Sequence, residues 1–269
     1  MSILHPVEDT TCTSTWLRAA ELLASQDDAT LYNVILGIAS PDKVTPEDFE
    51  LHEVLNAFLV SNDQYPLSSI AGTIFPAGHY LHGGAKAVFD EFPALYPKMK
   101  ESWGTYAHRM LDRTVIADHR NSSMLEILVE KLKKQKKRGR MRAAYEMDLL
   151  NGVVEMDVAL YQPAADCDRT LGQPCLTHLS FKLHPDDRLS LTALYRSHFY
   201  VQKTLGNLLG LSQLMCFIAE QVGLTIGPLV CHSTLAQLEH GGNTGWRLQD
   251  VQSLLKHCRQ AYASPVLMV

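Results

Sequence analysis

Cys175 directly follows Pro174 in LGQPCLTHLSFKL, residues 171–183, at the mouth of a segment in which apolar and polar side chains alternate. A thiol placed there is either a nucleophile or one of several buried cysteines. Nucleophilicity belongs to the thiolate, so it needs a nearby cation to pull the pKa below its free value of about 8.5. The commoner fate of cysteine is burial without chemistry. Cys12, Cys167, Cys216, Cys231 and Cys258 form no CxxC pair with it or with each other. In a chain of this length that points to free thiols, and Cys216, inside a long apolar stretch, is expected to be packing. The twelve histidines include no HExxH and no paired His/Cys ligand spacing, so no metal site is expected. Six cations fall within Lys133 to Arg140; such a run is ordinarily a solvated helix face.

Several elements must position these groups. TWLRAAELLASQ has helical apolar spacing, and DATLYNVILGIAS predicts a buried strand stopping at Ser40–Pro41. TPEDFELHEVLNAFLVS predicts a helix with Thr45 as N-cap and Pro46 in its first position. A further helix is expected to end before Pro76, and GGAKAVFDEFPALYPKMKES to hold a short helix with irregular flanks. NSSMLEILVEKLKKQKKRGRMRAAYEM begins as an amphipathic helix. VVEMDVALYQP, LTHLSFKLH and LSLTALYRSHFY read as strands, and TLGNLLGLSQLMCFIAEQVG as a long core helix. No repeat or low-complexity linker interrupts the chain. The expectation is an α+β fold of one domain over residues 1–269, a mixed or antiparallel sheet flanked by helices with a long buried core helix.

Composition narrows the function. With 46% apolar residues the 269-residue chain can bury a full core. A net charge of −5 argues against wrapping nucleic acid. No continuous apolar run of about 18 residues is present, and MSILHPVEDTTCTST has no signal-peptide pattern. A cytoplasmic protein without a membrane or nucleic-acid partner is expected.

Taken in series, QPCLTHLSFKL, LTALYRSHFYVQKTLGNLLGLSQL and GLTIGPLV resemble the thymidylate synthase family. There a Pro-Cys strand is followed about 20 residues later by an Arg-Ser pair and then by an asparagine opening a core helix, on the family's pattern of nucleophilic catalysis. The resemblance is best over residues 103–230, where WGTYAHRM matches a tyrosine turn and KKRGRMRAAYEMDLL an arginine segment. It implies that Cys175 adds to C6 of a pyrimidine nucleotide monophosphate, assisted by Tyr106, which could order water. It implies that Arg196 lowers the thiol pKa and, with Ser197, contacts phosphate. Asn207 would read the base, as uracil or cytosine, with helix N-cap as its alternative role. Arg138, Arg140 or Arg142 would cross into the partner's site in a homodimer, and His232 would contact the sugar. Methylenetetrahydrofolate is the implied one-carbon donor. Thr73 stands where the family has a catalytic glutamate, and Phe199 where it has a folate-orienting aspartate. Phe89 and Trp103 either line a cofactor stack or fill the core, the second being the expectation.

The activity so implied is transfer of a methyl or hydroxymethyl group to C5 of a pyrimidine nucleotide. The alternatives are the same fold running altered chemistry in modified-nucleoside metabolism, or a non-catalytic nucleotide-binding homodimer.

Overall fold

The computed structural model describes residues 3–95, 105–114, 122–138, 157–160 and 174–263. In chain order the elements are β1 (His5–Asp9), α1 (Cys12–Ala24), β2 (Thr30–Ile38), α2 (Pro46–Ser61), α3 (Leu67–Gly72), α4 (Ala77–Lys86), α5 (Phe92–Leu95), α6 (Tyr106–Leu111), α7 (Met124–Arg138), β3 (Asp157–Ala159), β4 (Leu176–Leu183), β5 (Arg188–Tyr195), β6 (His198–Phe199), α8 (Leu205–Val222), β7 (Thr225–Gln237) and α9 (Leu248–Ala263). Strand pairing is mixed, parallel in β1–β2 and β6–β7 and antiparallel in β2–β7 and β3–β4. The chain divides into two compact units, Met1–Ala71 with Tyr195–Leu209 and Pro228–Val269, and Gly72–Leu194 with Gly210–Gly227.

In the first unit, two helices start on reciprocal caps. Thr11 and Ser14 exchange side-chain-to-backbone bonds at 3.1 Å. Thr45 and Asp48 do the same, at 2.9 and 3.2 Å, with Pro46 where its missing N–H costs nothing. Asp48 also accepts from the Thr11 hydroxyl at 3.1 Å, so the two caps brace each other. Alternate residues Val34, Leu36 and Ile38 of β2 are buried, and so are Trp16, Leu17, Ala20 and Leu23 of α1, which packs on that strand. Each of the Val, Leu and Ile side chains contributes about 1.5–3 kcal/mol by burial. The Trp16 indole N–H donates to the Tyr200 carbonyl at 2.7 Å, fixing the turn that leads into α8.

That turn, a π-helical stretch over Tyr200–Thr204, leaves N–H groups free, and Glu239 takes two of them: its carboxylate accepts from Val201 and Gln202 at 2.8 and 2.9 Å. Burial opposes the charge that these bonds favour and prevails, so the carboxyl pKa is pushed up to about 7. A folded-state pKa raised above the ordinary 4.5 means that the folded protein holds this proton between about pH 4.5 and 7. Its contribution is full below that window and is lost as pH rises through 7. Replacement by Gln, which carries no charge at any pH, is expected to remove on the order of 2–3 kcal/mol of pH-dependent stability between pH 5 and 8. Denaturant titrations of both proteins across that range measure it, and parallel pH profiles would refute it.

In the second unit, β3 pairs antiparallel with β4, Val158 opposite Leu179. β4 and β5 are neighbouring strands joined by a tight turn, with the His184 N–H on the Arg188 carbonyl at 2.8 Å. α7 opens on a Ser123/Glu126 capping box, and Glu126 and Asp90 both hold Arg113. Leu125, Leu128, Val129 and Leu132 are buried along its apolar stripe while Lys134 and Lys137 are exposed, as expected of a solvated cationic face, and Lys136 donates to the Gly223 carbonyl. Phe75, Tyr80 and Phe89 pack against Phe217 at ring separations of 5.0–5.5 Å, so Phe89, itself half-buried, lies against the edge of the core. One expectation is corrected here. The segment after Gly83 is more helical than predicted, because Gly84 takes a left-handed φ of 63° and lets α4 kink and continue through a π turn into α5.

Candidate active site

Cys175 sits one residue before β4, half-buried, with its backbone held from below by Tyr106. The Tyr106 phenol oxygen accepts from the N–H of Cys175 at 3.0 Å and of Leu176 at 3.1 Å. Those two N–H groups lie where the β ladder begins, and the phenol satisfies them in place of a neighbouring strand. Tyr106 is itself the first residue of α6, placed by the Thr105 cap, whose hydroxyl accepts from the His108 N–H at 3.1 Å. The Ala107 N–H donates to the Thr73 carbonyl at 2.9 Å, which anchors the first turn of α6 within its own unit. Burial, chiefly, pushes the Tyr106 pKa up to about 12, so at neutral pH it is a phenol and never a phenolate base. A backbone-holding role for Tyr106 is therefore added to the water-ordering role expected from the sequence. One turn further on, Arg109 is buried and donates from Nη1 to the Leu160 carbonyl at 2.6 Å. This guanidinium, whose charge reaches the Tyr106 phenol, was not singled out from the sequence. Its only signal there was its spacing, three residues after Tyr106 on one helix face.

Thr73 is half-buried just beyond α3 and brings a hydroxyl where the family resemblance calls for a carboxylate. Among the other described thiols, burial pushes the pKa of Cys231 up, and that of Cys258 to about 12, so both are inert at neutral pH. The Cys12 thiol lies against the Pro41 and Leu208 carbonyls. Cys216 is half-buried, less enclosed than a packing role predicted.

The second group of predicted residues lies in the other unit. Arg196 and Ser197 form the break between β5 and β6, Arg196 exposed and Ser197 half-buried. The Thr234 hydroxyl donates to the Arg196 carbonyl at 2.8 Å, so β7 holds the arginine's backbone whatever its side chain does. Asn207 is the third residue of α8, already preceded by a helical turn, which excludes the N-cap alternative. The residue is 6% exposed, and its Nδ2 lies 3.0 Å from His198 Nε2. The opposite ring nitrogen, Nδ1, is 3.0 Å from the Ser233 hydroxyl. His232 pairs opposite Ile35 across the β2–β7 ladder, and its Nε2 meets Asn33 Oδ1 at 3.1 Å, Asn33 having a left-handed φ of 56°. Phe199 is 40% exposed. Arg138 closes α7, while Arg140, Arg142, Cys167 and Trp103 lie outside the described residues. Cys175 and Tyr106 thus belong to one unit, and Arg196, Ser197, Asn207 and His232 to the other. Among the described residues no cluster of three or more His, Cys, Asp or Glu side chains could hold a metal ion, and no helix is long and apolar enough to cross a membrane.

No protein-family model matches the chain. Over 65 residues it is 38% identical to a protein of Methanococcoides burtonii named "Putative thymidylate synthase", a stretch that covers 24% of this chain and 30% of that one. A protein of the same name from Methanothermobacter thermautotrophicus is 37% identical over 65 residues, 24% of this chain and 29% of that one. The match spans less than a third of either relative's length. Among solved structures, the thermostable thymidylate synthase A of Bacillus subtilis superposes with a TM-score of 0.51 at 11% identity, covering 92% of this chain and 84% of that one. The chain has the thymidylate synthase fold, and its sequence resembles that family divergently.

Proposed function

We propose that this chain transfers a one-carbon unit to C5 of a pyrimidine nucleotide through a covalent adduct between Cys175 and C6 of the ring. The observation that carries this reading is the fixing of the Cys175 backbone by Tyr106 Oη at the mouth of β4, in a chain with the thymidylate synthase fold. A half-buried thiol on a rigid support can meet an electrophilic carbon repeatedly in one geometry. In the proposed reaction the thiolate adds to C6 and the ring electrons move to C5 and O4. C5 then bonds to the one-carbon unit, the C5 proton passes to solvent, the bond from that unit to its carrier breaks with its electron pair going to the carrier, and elimination returns the thiolate. A unit at the formaldehyde level takes its hydroxyl from water to give hydroxymethyl, or a hydride supplied by the donor to give methyl. Arg196 and Ser197 would bind the phosphate and His232 the sugar, while Asn207 reads the base, donating to O4 and accepting from N3–H. The whole of residues 1–269 would act as one domain of a homodimer, with Arg138 or Arg140 completing the partner's site.

The family's donor is methylenetetrahydrofolate. Phe199 presents an exposed hydrocarbon ring where an acceptor for the pterin would be needed, so the residues present do not fit a folate held in the family's manner. That observation, with Thr73 in place of a carboxylate, favours a second reading, in which nucleotide activation persists and the chemistry at C5 differs.

Intact-mass spectrometry with 5-fluoro-2′-deoxyuridine and 5-fluoro-2′-deoxycytidine monophosphates tests the first step, because fluorine at C5 does not leave as a proton does. One equivalent of added nucleotide mass is expected. Exchange of the C5 proton of the unsubstituted nucleotide with deuterated solvent, without a donor, is expected under both readings. Absence of both signals would leave only a non-catalytic binding protein.

A further inference from the structure

The reading of Asn207 as the base-contacting residue leaves open what holds its amide in one orientation, and the residues behind it answer this. His198 is 1% exposed and Ser233 fully buried. The imidazole lies flat against the Tyr195 ring, 3.9 Å between centroids at 3°, with the edge of Tyr200 at 5.7 Å, so the ring plane is clamped. Its two nitrogens each have one partner, Ser233 Oγ at Nδ1 and Asn207 Nδ2 at Nε2, both at 3.0 Å. Burial pushes its pKa down to about 3, so the ring is neutral and carries one N–H and one lone pair. An amide NH2 can only donate. Nε2 is therefore the acceptor, and the proton resides on Nδ1 and points at Ser233 Oγ.

We infer that His198 is the positioning residue that locks the Asn207 amide in one orientation and thereby sets preference for uracil over cytosine, an inference that rests on Asn207 reading the base. With one N–H committed to His198, Asn207 retains one N–H and its carbonyl. Uracil offers an acceptor at O4 and a donor at N3, and cytosine the same pair reversed. An amide free to flip serves either base; a fixed one leaves the wrong base with two facing donors and two facing acceptors. Flipping the amide here would bring its carbonyl against the Nε2 lone pair, unless the ring proton also moved from Nδ1 to Nε2 and the Ser233 hydroxyl turned to donate.

The test compares binding of dUMP and dCMP to the full-length wild type and to His198→Phe, which keeps a flat ring against Tyr195 but has no acceptor. Wild type is expected to prefer dUMP by tenfold or more. In the variant the ratio should fall below threefold, mainly through tighter dCMP binding, which a merely loosened fold would not produce. Should His198→Phe not fold, Ser233→Ala removes the acceptor that holds the proton on Nδ1 and should also narrow the ratio. Nitrogen-15 spectra of the labelled imidazole should show Nδ1 protonated and Nε2 bare. An unchanged ratio in a folded variant, the opposite tautomer, or a wild type preferring dCMP would each overturn the inference while leaving nucleotide binding in place. A wild type that binds neither nucleotide would overturn the parent reading, and this one with it.

Discussion

Cys175→Ser is expected to abolish the covalent 5-fluoronucleotide adduct while changing nucleotide affinity by about twofold or less, because a serine hydroxyl fills the same space but is a far weaker nucleophile at neutral pH. The substitution is clean because what the structure holds at this position is backbone. The Cys175 N–H donates to Tyr106 Oη, and that bond does not depend on the side chain. Loss of reactivity with loss of fold would thus not be the expected outcome, and an unchanged unfolding midpoint in denaturant would verify that. The same thiol gives a second readout. Iodoacetamide should label Cys175 faster than an accessible thiol of ordinary pKa, about 8.5, and bound nucleotide should protect it. Cys231 and Cys258, buried and with pKa raised, supply no background. Cys216, which is half-buried, is best removed first as Cys216→Ser. Labelling at the ordinary rate, indifferent to nucleotide, would reduce Cys175 to a structural cysteine and end the proposed mechanism.

The sequence announced elements whose signals are local. The Thr45–Pro46 start of α2 follows from capping chemistry within four residues, and the alternation of β4 and β5 from half-burial of successive side chains. It concealed elements whose burial is set from elsewhere. β1 is HPVED, five residues with three that are polar or charged, and becomes a strand only through its parallel pairing with β2. β7 carries Pro228, His232, Ser233 and Thr234, which dilute any strand pattern, yet its ladder with β2 runs from Ile38 back to Thr30. α9 does carry a legible local signal, a stripe of Val251, Leu254, Leu255 and Cys258 spaced for one helix face. The site divides in the same way. Cys175 stands out by its place directly after Pro174, whereas Arg196 and Asn207 are legible only through the resemblance to the thymidylate synthase family. The groups that hold them, Tyr106 Oη under the Cys175 backbone, Thr234 on the Arg196 carbonyl and His198 against Asn207, are contacts between common residues that the fold brings together, the first two across 38 or more residues of chain. Spacing carries no trace of them.

The second large effect is expected at Arg196. Its backbone is fixed by the Thr234 hydroxyl while its side chain is exposed, so Arg196→Ala should remove a guanidinium without moving the turn. If that guanidinium contacts the nucleotide phosphate, the charge-assisted bond contributes about 1.5–3 kcal/mol, and affinity should fall about 10- to 150-fold. Lys134 and Lys137, exposed on α7, serve as controls. A solvated charge at such a position contributes about 0–1 kcal/mol, so either Lys→Ala change should alter affinity by no more than about fivefold. The decisive comparison adds the phosphate-free nucleoside. Removing the phosphate from the ligand and the guanidinium from the protein deletes the same contact, so the two losses should not add: Arg196→Ala should bind nucleoside as weakly as wild type does. Additive losses would mean that Arg196 acts elsewhere, and equal losses from Arg196 and the lysines would mean that affinity follows net charge alone. In the first case Arg109, buried on the helix that carries Tyr106, would become the cation to test beside the thiol.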